Sequence, residues 1–148
     1  MSKDTFTALI VDDEELARGL VREHLQIHPE IRILAECANG FEAVKAATEQ
    51  KPDLLFLDIQ MPELDGFEVL ELLESQPATV FITAFDQHAI KAFEAHAVDY
   101  LLKPFSEARF EEALAKAKAK CMAGQPSVPR PADLSAAAGV LVTRFQEV

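Results

Sequence analysis

The stretch from Leu54 to Gly66 constrains the fold of this chain more than any other. Four apolar residues, Leu54–Leu57, lead directly into Asp58, and Pro62 and Gly66 then stop the strand from continuing. A short, bounded apolar run of this kind predicts a strand buried on both faces. Asp58 would lie at the carboxyl end of that strand, where open parallel α/β sheets bind ligands. This stretch alone fits a turn-capping Asp equally well.

The rest of the chain alternates strand-like and helix-like segments five times, with short links. This pattern predicts parallel strands joined by right-handed helical crossovers. The expected fold class is therefore α/β, a doubly wound five-stranded parallel sheet with five helices. The predicted strands cover residues 5–11, 31–38, 54–57, 78–84 and 98–102, and the predicted helices cover 15–27, 41–50, 67–74, 86–95 and 109–120.

Apolar residues at helical spacing predict which side of each helix faces the sheet. In the first helix these are Leu16, Leu20 and Ile27, with Ala17 and Val21 beside them and His24 as a packed side chain. The inward residues expected elsewhere are as follows: Phe41, Val44 and Ala47 or Thr48 for the second helix, Ile90, Phe93 and Ala97 or Val98 for the fourth, and Phe110, Ala113, Leu114 and Ala117 for the fifth, which Ser106 would cap.

The composition predicts a globular protein of the cytoplasm. Of its 148 residues, 49% are hydrophobic, and no apolar run approaches the roughly 18 residues of a membrane span. The N-terminus has no signal-peptide pattern, and Cys37 and Cys121 lack metal-ligand spacing, so reduced thiols are expected. A net charge of −11 disfavours binding to nucleic acid and favours a cation as partner.

The composition changes after residue 121. Residues 122–138 are rich in Pro, Gly, Ser and Ala without apolar periodicity, which predicts a linker. Residues 139–148 resemble the beginning of a strand and are too short to fold alone. We therefore expect one domain over 1–121, a linker over 122–138, and over 139–148 the stub of a C-terminal effector domain that this chain does not contain.

Polar side chains occur where the predicted strands end. Asp12 and Asp13 follow the first strand, Asp58 follows the third, Thr83 ends the fourth and Lys103 follows the fifth. Because the carboxyl ends of parallel strands meet at one edge of a sheet, these side chains should cluster. Three carboxylates together need a counter-charge. Oxygen-only ligands favour Mg²⁺, and the lack of His or Cys at these positions disfavours zinc.

The acidic run after the first strand has a second explanation, because acids also stabilise a helix N-terminus. Asp12 and Asp13 come directly off an apolar strand, which favours the cation site for this pair. An ammonium and a hydroxyl beside such a site suit a phosphoryl group. Lys103 would offset its charge, Thr83 would donate a hydrogen bond, and Asp58 would be the nucleophile.

These residues together resemble the receiver domain of two-component response regulators. The resemblance covers residues of about 5–121 and implies the flavodoxin-like strand order 2-1-3-4-5. It implies a phosphoacceptor rather than an enzyme, with only self-phosphorylation and slow autodephosphorylation. The motifs that carry it are Asp12-Asp13, Leu57–Pro62 around Asp58, Gly66, Thr83-Ala84 and Lys103-Pro104-Phe105.

The resemblance also implies a role for each site residue. Asp58 would accept the phosphoryl group from a phosphohistidine of a sensor histidine kinase. Asp13 and Asp58 would bind Mg²⁺ directly, together with the backbone carbonyl of Gln60, and Asp12 would hold a metal-bound water. Lys103 would pair with the phosphoryl oxygens.

A switch mechanism follows from the same resemblance. Thr83 and Tyr100 match the family's hydroxyl and aromatic relay pair, which would couple phosphorylation to the face formed by the fourth helix, fifth strand and fifth helix. A homodimer through that face is expected. The Lys103–Pro104 peptide bond should be cis. From the residues alone, Tyr100 could instead be a half-buried side chain with its hydroxyl outward.

The segments Thr83–Glu94 and Ala97–Pro104 resemble receivers that precede LytTR-type DNA-binding domains. Regulation of transcription, with DNA bound only through the missing effector domain, is therefore the favoured function. A freestanding receiver is one alternative. A phosphatase of the haloacid-dehalogenase class is another, but that class needs an acid two residues after the nucleophile, where this chain has Gln60.

Overall fold

The structure is a computed structural model that describes residues 5–123. Strands and helices alternate along this range, with a short 3₁₀ helix, Asp86–His88, before the fourth helix. The elements are β1 (Phe6–Val11), α1 (Glu15–Gln26), β2 (Ile31–Cys37), α2 (Gly40–Gln50), β3 (Leu54–Leu57), α3 (Gly66–Leu72), β4 (Ala78–Thr83), α4 (Ala89–Glu94), β5 (Asp99–Leu102) and α5 (Glu107–Ala123).

The five strands form one sheet in the order β2-β1-β3-β4-β5, and all neighbours pair in parallel. This confirms the predicted flavodoxin-like α/β fold. The register aligns the last residues of β1 and β3, because Val11 pairs with Leu57. The loops that follow β1 and β3 therefore begin side by side.

The central strand β3 is buried along its whole length, as its apolar run predicts. Its side chains alternate between the two faces of the sheet. Leu54 and Phe56 belong to the core layer beneath α1 and α5, which includes Phe110. Leu55 and Leu57 belong to the layer on the opposite face, beneath α2 and α3. Burial on both faces fixes the position of the loop after β3.

The predicted inward face of α1 is wrong at its three main positions and confirmed at Val21. Leu16, Leu20 and Ile27 are exposed, whereas Val21 and Leu25 are buried. The helix is rotated because its stripe at residues 21 and 25 packs onto the sheet. His24 is a packed side chain as predicted, and its ring stacks on a phenylalanine of α5.

Small residues also decide the orientation of α2 and α4. Phe41 is exposed while Ala43 is buried, and Ala47, one of the two predicted alternatives, is buried as well. Phe93 is exposed while Ala92 is buried. Alanine lets a helix approach the sheet closely, so the large side chains that periodicity placed inside lie outside. In α5 the prediction is confirmed, since its buried residues are Phe110, Ala113, Leu114 and Ala117. The side chain of Ile90 is outside the described set.

Side-chain caps begin three helices. The carboxylate of Asp65 accepts a hydrogen bond from the Glu68 amide, and the Glu68 side chain accepts one from the Asp65 amide, which forms a capping box. The Asn39 side chain caps α2 in a similar way. Ser106 Oγ accepts a hydrogen bond from the Arg109 amide, as its predicted N-cap role requires.

Three further sequence predictions concern a cis peptide bond, membrane-spanning helices and the C-terminal segment. The Lys103–Pro104 peptide bond is cis, as predicted. Among residues 5–123, no helix is both long and apolar enough to cross a membrane. The predicted linker and effector stub fall outside the described residues, apart from 122 and 123, which continue α5.

Two identical substitutions in α1 test the corrected orientation of that helix. Leu25 is 1% exposed and Leu16 is 89% exposed. Leu25→Ala should lower the free energy of unfolding by about 2–5 kcal/mol, because it removes buried methyl groups and leaves a cavity. Leu16→Ala should change it by less than about 0.5 kcal/mol. Urea denaturation followed by circular dichroism measures both, and equal losses would contradict this orientation.

Candidate functional site

Backbone hydrogen bonds continue past the strand ends and align the residues that follow. The Asp12 amide donates to the Cys37 carbonyl over 3.1 Å, and the Asp58 amide donates to the Val11 carbonyl over 2.9 Å. Between β4 and β5, the Lys103 amide donates to the Thr83 carbonyl over 2.8 Å. The loops therefore leave the sheet in a fixed geometry at a single edge.

Three carboxylates meet at this edge. One oxygen of each of Asp12, Asp13 and Asp58 lies within 4.8 Å of the others. Asp12 and Asp58 are only 5% and 6% exposed, whereas Asp13 is exposed. The cluster is thus a buried pair of acids with a third acid at its opening to solvent. Its ligand atoms are all oxygens, the donor set that a hard divalent cation prefers.

Lys103 supplies the positive charge at the cluster. Its Nζ lies 2.8 Å from Asp12 Oδ2, 3.5 Å from Asp58 Oδ2 and 3.7 Å from Glu14 Oε1. Burial alone would lower the pKa of this lysine, but the hydrogen bond to Asp12 and the charges of Asp58, Asp12 and Glu14 raise it above its ordinary value. The ammonium therefore stays charged and holds the acids together.

Asp58 is harder to ionise than an ordinary aspartic acid. Burial, followed by the nearby charge of Asp12, raises its pKa to about 6, and Lys103 opposes that change. The Gln60 amide also donates a hydrogen bond to Asp58 Oδ1 over 3.3 Å. At neutral pH most of the molecules still carry a carboxylate at this position, so Asp58 can act as a nucleophile.

Gly66 keeps the loop after β3 folded against the site. Its amide donates to the Ile59 carbonyl over 2.8 Å. A Cβ at this position would lie 2.6 Å from the Asp58 carbonyl oxygen and 3.2 Å from the ring of Phe81. Glycine is therefore required for the close approach of α3 to the strand end that carries Asp58.

Thr83 and Tyr100 both contact the backbone of Phe85. Thr83 is fully buried, and its Oγ1 accepts a hydrogen bond from the Phe85 amide over 3.4 Å. The Tyr100 hydroxyl donates to the Phe85 carbonyl. The β4 loop thus connects the two residues that the resemblance pairs in a switch, at the end of β4 and within β5.

Two groups of residues were missed by sequence reasoning, one at this edge and one at the amino end of β5. Arg18 on α1 donates a hydrogen bond from Nη1 to the Asp12 carbonyl over 2.7 Å. In β5, Asp99 accepts hydrogen bonds from both terminal nitrogens of Arg109. Burial would raise the Asp99 pKa, but its bonds to Arg109 and Tyr100 and the charge of Lys116 lower it. Neither contact has a short-range sequence signal, because each joins different elements.

A profile of the response regulator receiver domain matches residues 8–115. The chain belongs to the response regulator receiver family. As a receiver it is a phosphoacceptor signalling domain rather than a dedicated enzyme, which removes the phosphatase alternative. The cluster of Asp12, Asp13 and Asp58 is the acidic triad typical of a receiver metal site.

Curated relatives of the receiver include transcriptional regulators. Transcriptional regulatory protein BtsR of Escherichia coli strain K12 is 54% identical over 110 residues, covering 73% of this chain and 46% of that protein. BtsR of Salmonella typhi is 56% identical over 108 residues, covering 72% of this chain and 45% of that protein. The chain therefore spans less than half the length of these relatives.

Solved receiver structures have the same fold. The response regulatory domain of protein mrkE from Klebsiella pneumoniae superimposes with a TM-score of 0.72 at 35% identity, covering 78% of this chain and 97% of that domain. The REC domain of AraT, a response regulator from Geobacillus stearothermophilus, gives a TM-score of 0.74 at 31% identity, covering 82% and 98%.

The raised pKa of Asp58 predicts how stability depends on pH in metal-free buffer. An unfolded Asp has a pKa near 3.9, so between about pH 4 and 6 the folded state binds the Asp58 proton more tightly. The wild type should therefore lose stability relative to Asp58→Asn as the pH rises through this window. Each tenfold change in proton affinity is worth about 1.4 kcal/mol, so the difference should reach about 2–3 kcal/mol at pH 7.

Urea denaturation at several pH values with a chelator present measures this difference. Asp13→Asn is the control for loss of a negative charge at the cluster, because Asp13 is the exposed member of the three. If the free energies of unfolding of the wild type and Asp58→Asn differ by a constant amount from pH 4 to 7, burial does not perturb the pKa of Asp58.

Proposed function

We propose that this chain receives a phosphoryl group on Asp58 from the phosphohistidine of a sensor histidine kinase. The observation that carries the proposal is the buried Asp58 carboxylate beside Asp12, Asp13 and the Lys103 ammonium. Asp12 and Asp13 can bind a cation, and Lys103 can offset the charge of an anionic substrate. The family membership supports this role for the arrangement.

The donor set fits Mg²⁺. Asp13 and Asp58 would bind the ion directly with the Gln60 carbonyl, and Asp12 would hold a water molecule on it. Carboxylates with retained water are the usual surroundings of Mg²⁺ in proteins. When bound, Mg²⁺ offsets the negative charge of the phosphoryl oxygens.

The side chains would divide the transfer between them. An oxygen of the Asp58 carboxylate bonds to phosphorus while the bond from phosphorus to the kinase imidazole nitrogen breaks. The electron pair of that bond stays on the imidazole. Lys103 pairs with the phosphoryl oxygens, and the Thr83 hydroxyl turns from its own loop to donate a hydrogen bond to them. These contacts stabilise the negative charge that gathers on the oxygens during transfer.

Intact-mass spectrometry tests the phosphorylation. With Mg²⁺ and a small-molecule phosphodonor, the wild type should gain one phosphoryl group. Asp58→Asn, which keeps nearly the same shape but lacks the nucleophile, should gain none, and a chelator should abolish the gain in the wild type. An equal gain in the variant would assign the chemistry to another residue.

Phosphorylation would strengthen a homodimer through the face formed by α4, β5 and α5. Two exposed apolar side chains belong to these elements, Phe93 on α4 and Leu102 on β5, and the partly exposed Phe85 lies in the loop between β4 and α4. Phe85 also contacts Thr83 and Tyr100 through its backbone, so a movement of the Thr83 hydroxyl toward the phosphoryl group would reach this face.

Sedimentation velocity tests the dimer. Adding the phosphodonor should shift the wild type toward a dimer, and Phe93→Asp should remain monomeric because it places a charge in an apolar contact. Phe41→Asp is the matched control, since Phe41 is also exposed but lies on α2. Identical profiles with and without phosphodonor, over a wide range of protein concentration, would contradict this output.

The output would be regulation of transcription in the cytoplasm. The support is the name of two relatives, transcriptional regulatory protein BtsR. A LytTR-type domain joined through residues 122–138 would bind DNA, while the acidic receiver would not.

A further inference from the structure

Arg18 connects three elements next to the acidic cluster. Its Nη1 donates a hydrogen bond to the Asp12 carbonyl at the end of β1 over 2.7 Å. Its Nε lies 3.7 Å from Oε1 of Glu36 on β2, and its own backbone belongs to α1. The Arg18 side chain is only 16% exposed. A single guanidinium, largely covered by protein, therefore spans α1, β1 and β2 at the edge of the sheet where the acids meet.

The Asp12 carbonyl controls the direction in which the chain leaves β1. It belongs to the peptide plane between Asp12 and Asp13, and peptide planes are rigid. The other groups of Asp12 are also bonded, because its amide donates to Cys37 and its Oδ1 accepts from the Glu14 amide over 2.9 Å. The orientation of this plane sets the position of the exposed Asp13 relative to the buried acids.

We propose that Arg18 is a positioning residue for the metal site. By holding the Asp12–Asp13 peptide plane, it keeps the Asp13 carboxylate at the distance from Asp12 and Asp58 that a divalent cation requires. Glu36 holds the guanidinium in the orientation that makes this contact. The inference rests on the proposed function, since it concerns the same metal site.

The positive charge of Arg18 and its proposed positioning role have opposite effects on the affinity of the site for a cation. A guanidinium near a cation site repels the cation, so a purely electrostatic role predicts tighter metal binding when Arg18 becomes neutral. A positioning role predicts weaker binding even when the charge is kept, because lysine has a point-like ammonium in place of a planar guanidinium fork. The sign of the change therefore separates the two roles.

Arg22 provides a matched control. It also lies on α1, and its Nη1 bonds to Oε2 of the same Glu36 over 2.6 Å. Its side chain is 43% exposed, and its described bond is to Glu36, not to the acidic cluster. Arg22→Gln thus removes an arginine–Glu36 ion pair and one positive charge without removing the bond to the Asp12 carbonyl.

Electron paramagnetic resonance with Mn²⁺ as the probe measures metal affinity without any phosphorylation. Partners that orient metal ligands typically change affinity about 10–100-fold when removed, and Arg18 acts through one peptide, so we expect about fivefold to tenfold weaker binding for both Arg18→Lys and Arg18→Gln. Arg22→Gln should stay within about twofold of the wild type.

A second measurement separates positioning from a general structural role. At saturating Mg²⁺, phosphorylation of Arg18→Lys by the small-molecule donor should recover to near the wild-type rate, because excess metal fills a weakened site. At low Mg²⁺ it should be slower in proportion to the lost affinity. If Arg18→Gln does not fold, Glu36→Gln takes its place, since it keeps Arg18 but removes its second anchor and should also weaken Mn²⁺ binding.

Each remaining outcome would overturn the inference. Tighter binding by Arg18→Gln with unchanged Arg18→Lys would leave only a charge effect. If both Arg18 variants bind Mn²⁺ as tightly as Arg22→Gln does, Arg18 has no role in metal binding. A phosphorylation rate of Arg18→Lys that stays low at saturating Mg²⁺ would indicate general structural damage. A wild type that binds no Mn²⁺ would instead remove the proposed metal site itself, and this inference with it.

Discussion

The ion pair between Lys103 and the carboxylates of Asp12 and Asp58 is the interaction on which the site depends. Two acids that are almost fully buried cannot remain ionised side by side without a positive charge, and the lysine ammonium, 2.8 Å from one and 3.5 Å from the other, provides it. The same ammonium can pair with an anionic group that arrives at Asp58. Under the proposed function, the same side chain would be both the structural counter-charge and the group that binds the substrate.

This ion pair forms only because the sheet brings distant parts of the chain to one edge. The register that pairs Val11 with Leu57 places Asp12 beside Asp58. The hydrogen bond from the Lys103 amide to the Thr83 carbonyl holds Lys103 next to the end of β4. The buried strand β3 anchors these positions in the core. Gly66 lets α3 pack closely against the strand end that carries Asp58. The arrangement leaves Asp58 with a pKa near 6, which is low enough for a carboxylate at neutral pH.

The sequence predicted the sheet and the gathering of the acids because both follow from local patterns. The apolar run before Asp58 and the acids directly after β1 each need only a few neighbouring residues to interpret. It misjudged the large inward residues of α1, α2 and α4. In α2 and α4, alanines at positions 43 and 92 pack against the sheet where larger residues were expected, and in α1 the buried residues are Val21 and Leu25. It also missed Arg18, whose partners Asp12 and Glu36 lie on two different strands. Tertiary contacts decide such features.

The most direct test of the account is to locate the phosphoryl group itself. Borohydride reduces an aspartyl phosphate to homoserine, which peptide sequencing by mass spectrometry identifies at a single position. After treatment with phosphodonor and Mg²⁺, the account predicts homoserine at residue 58 and aspartate at residues 12 and 13. Homoserine at either of those neighbours, or at no position in a protein that has gained a phosphoryl group, would contradict it.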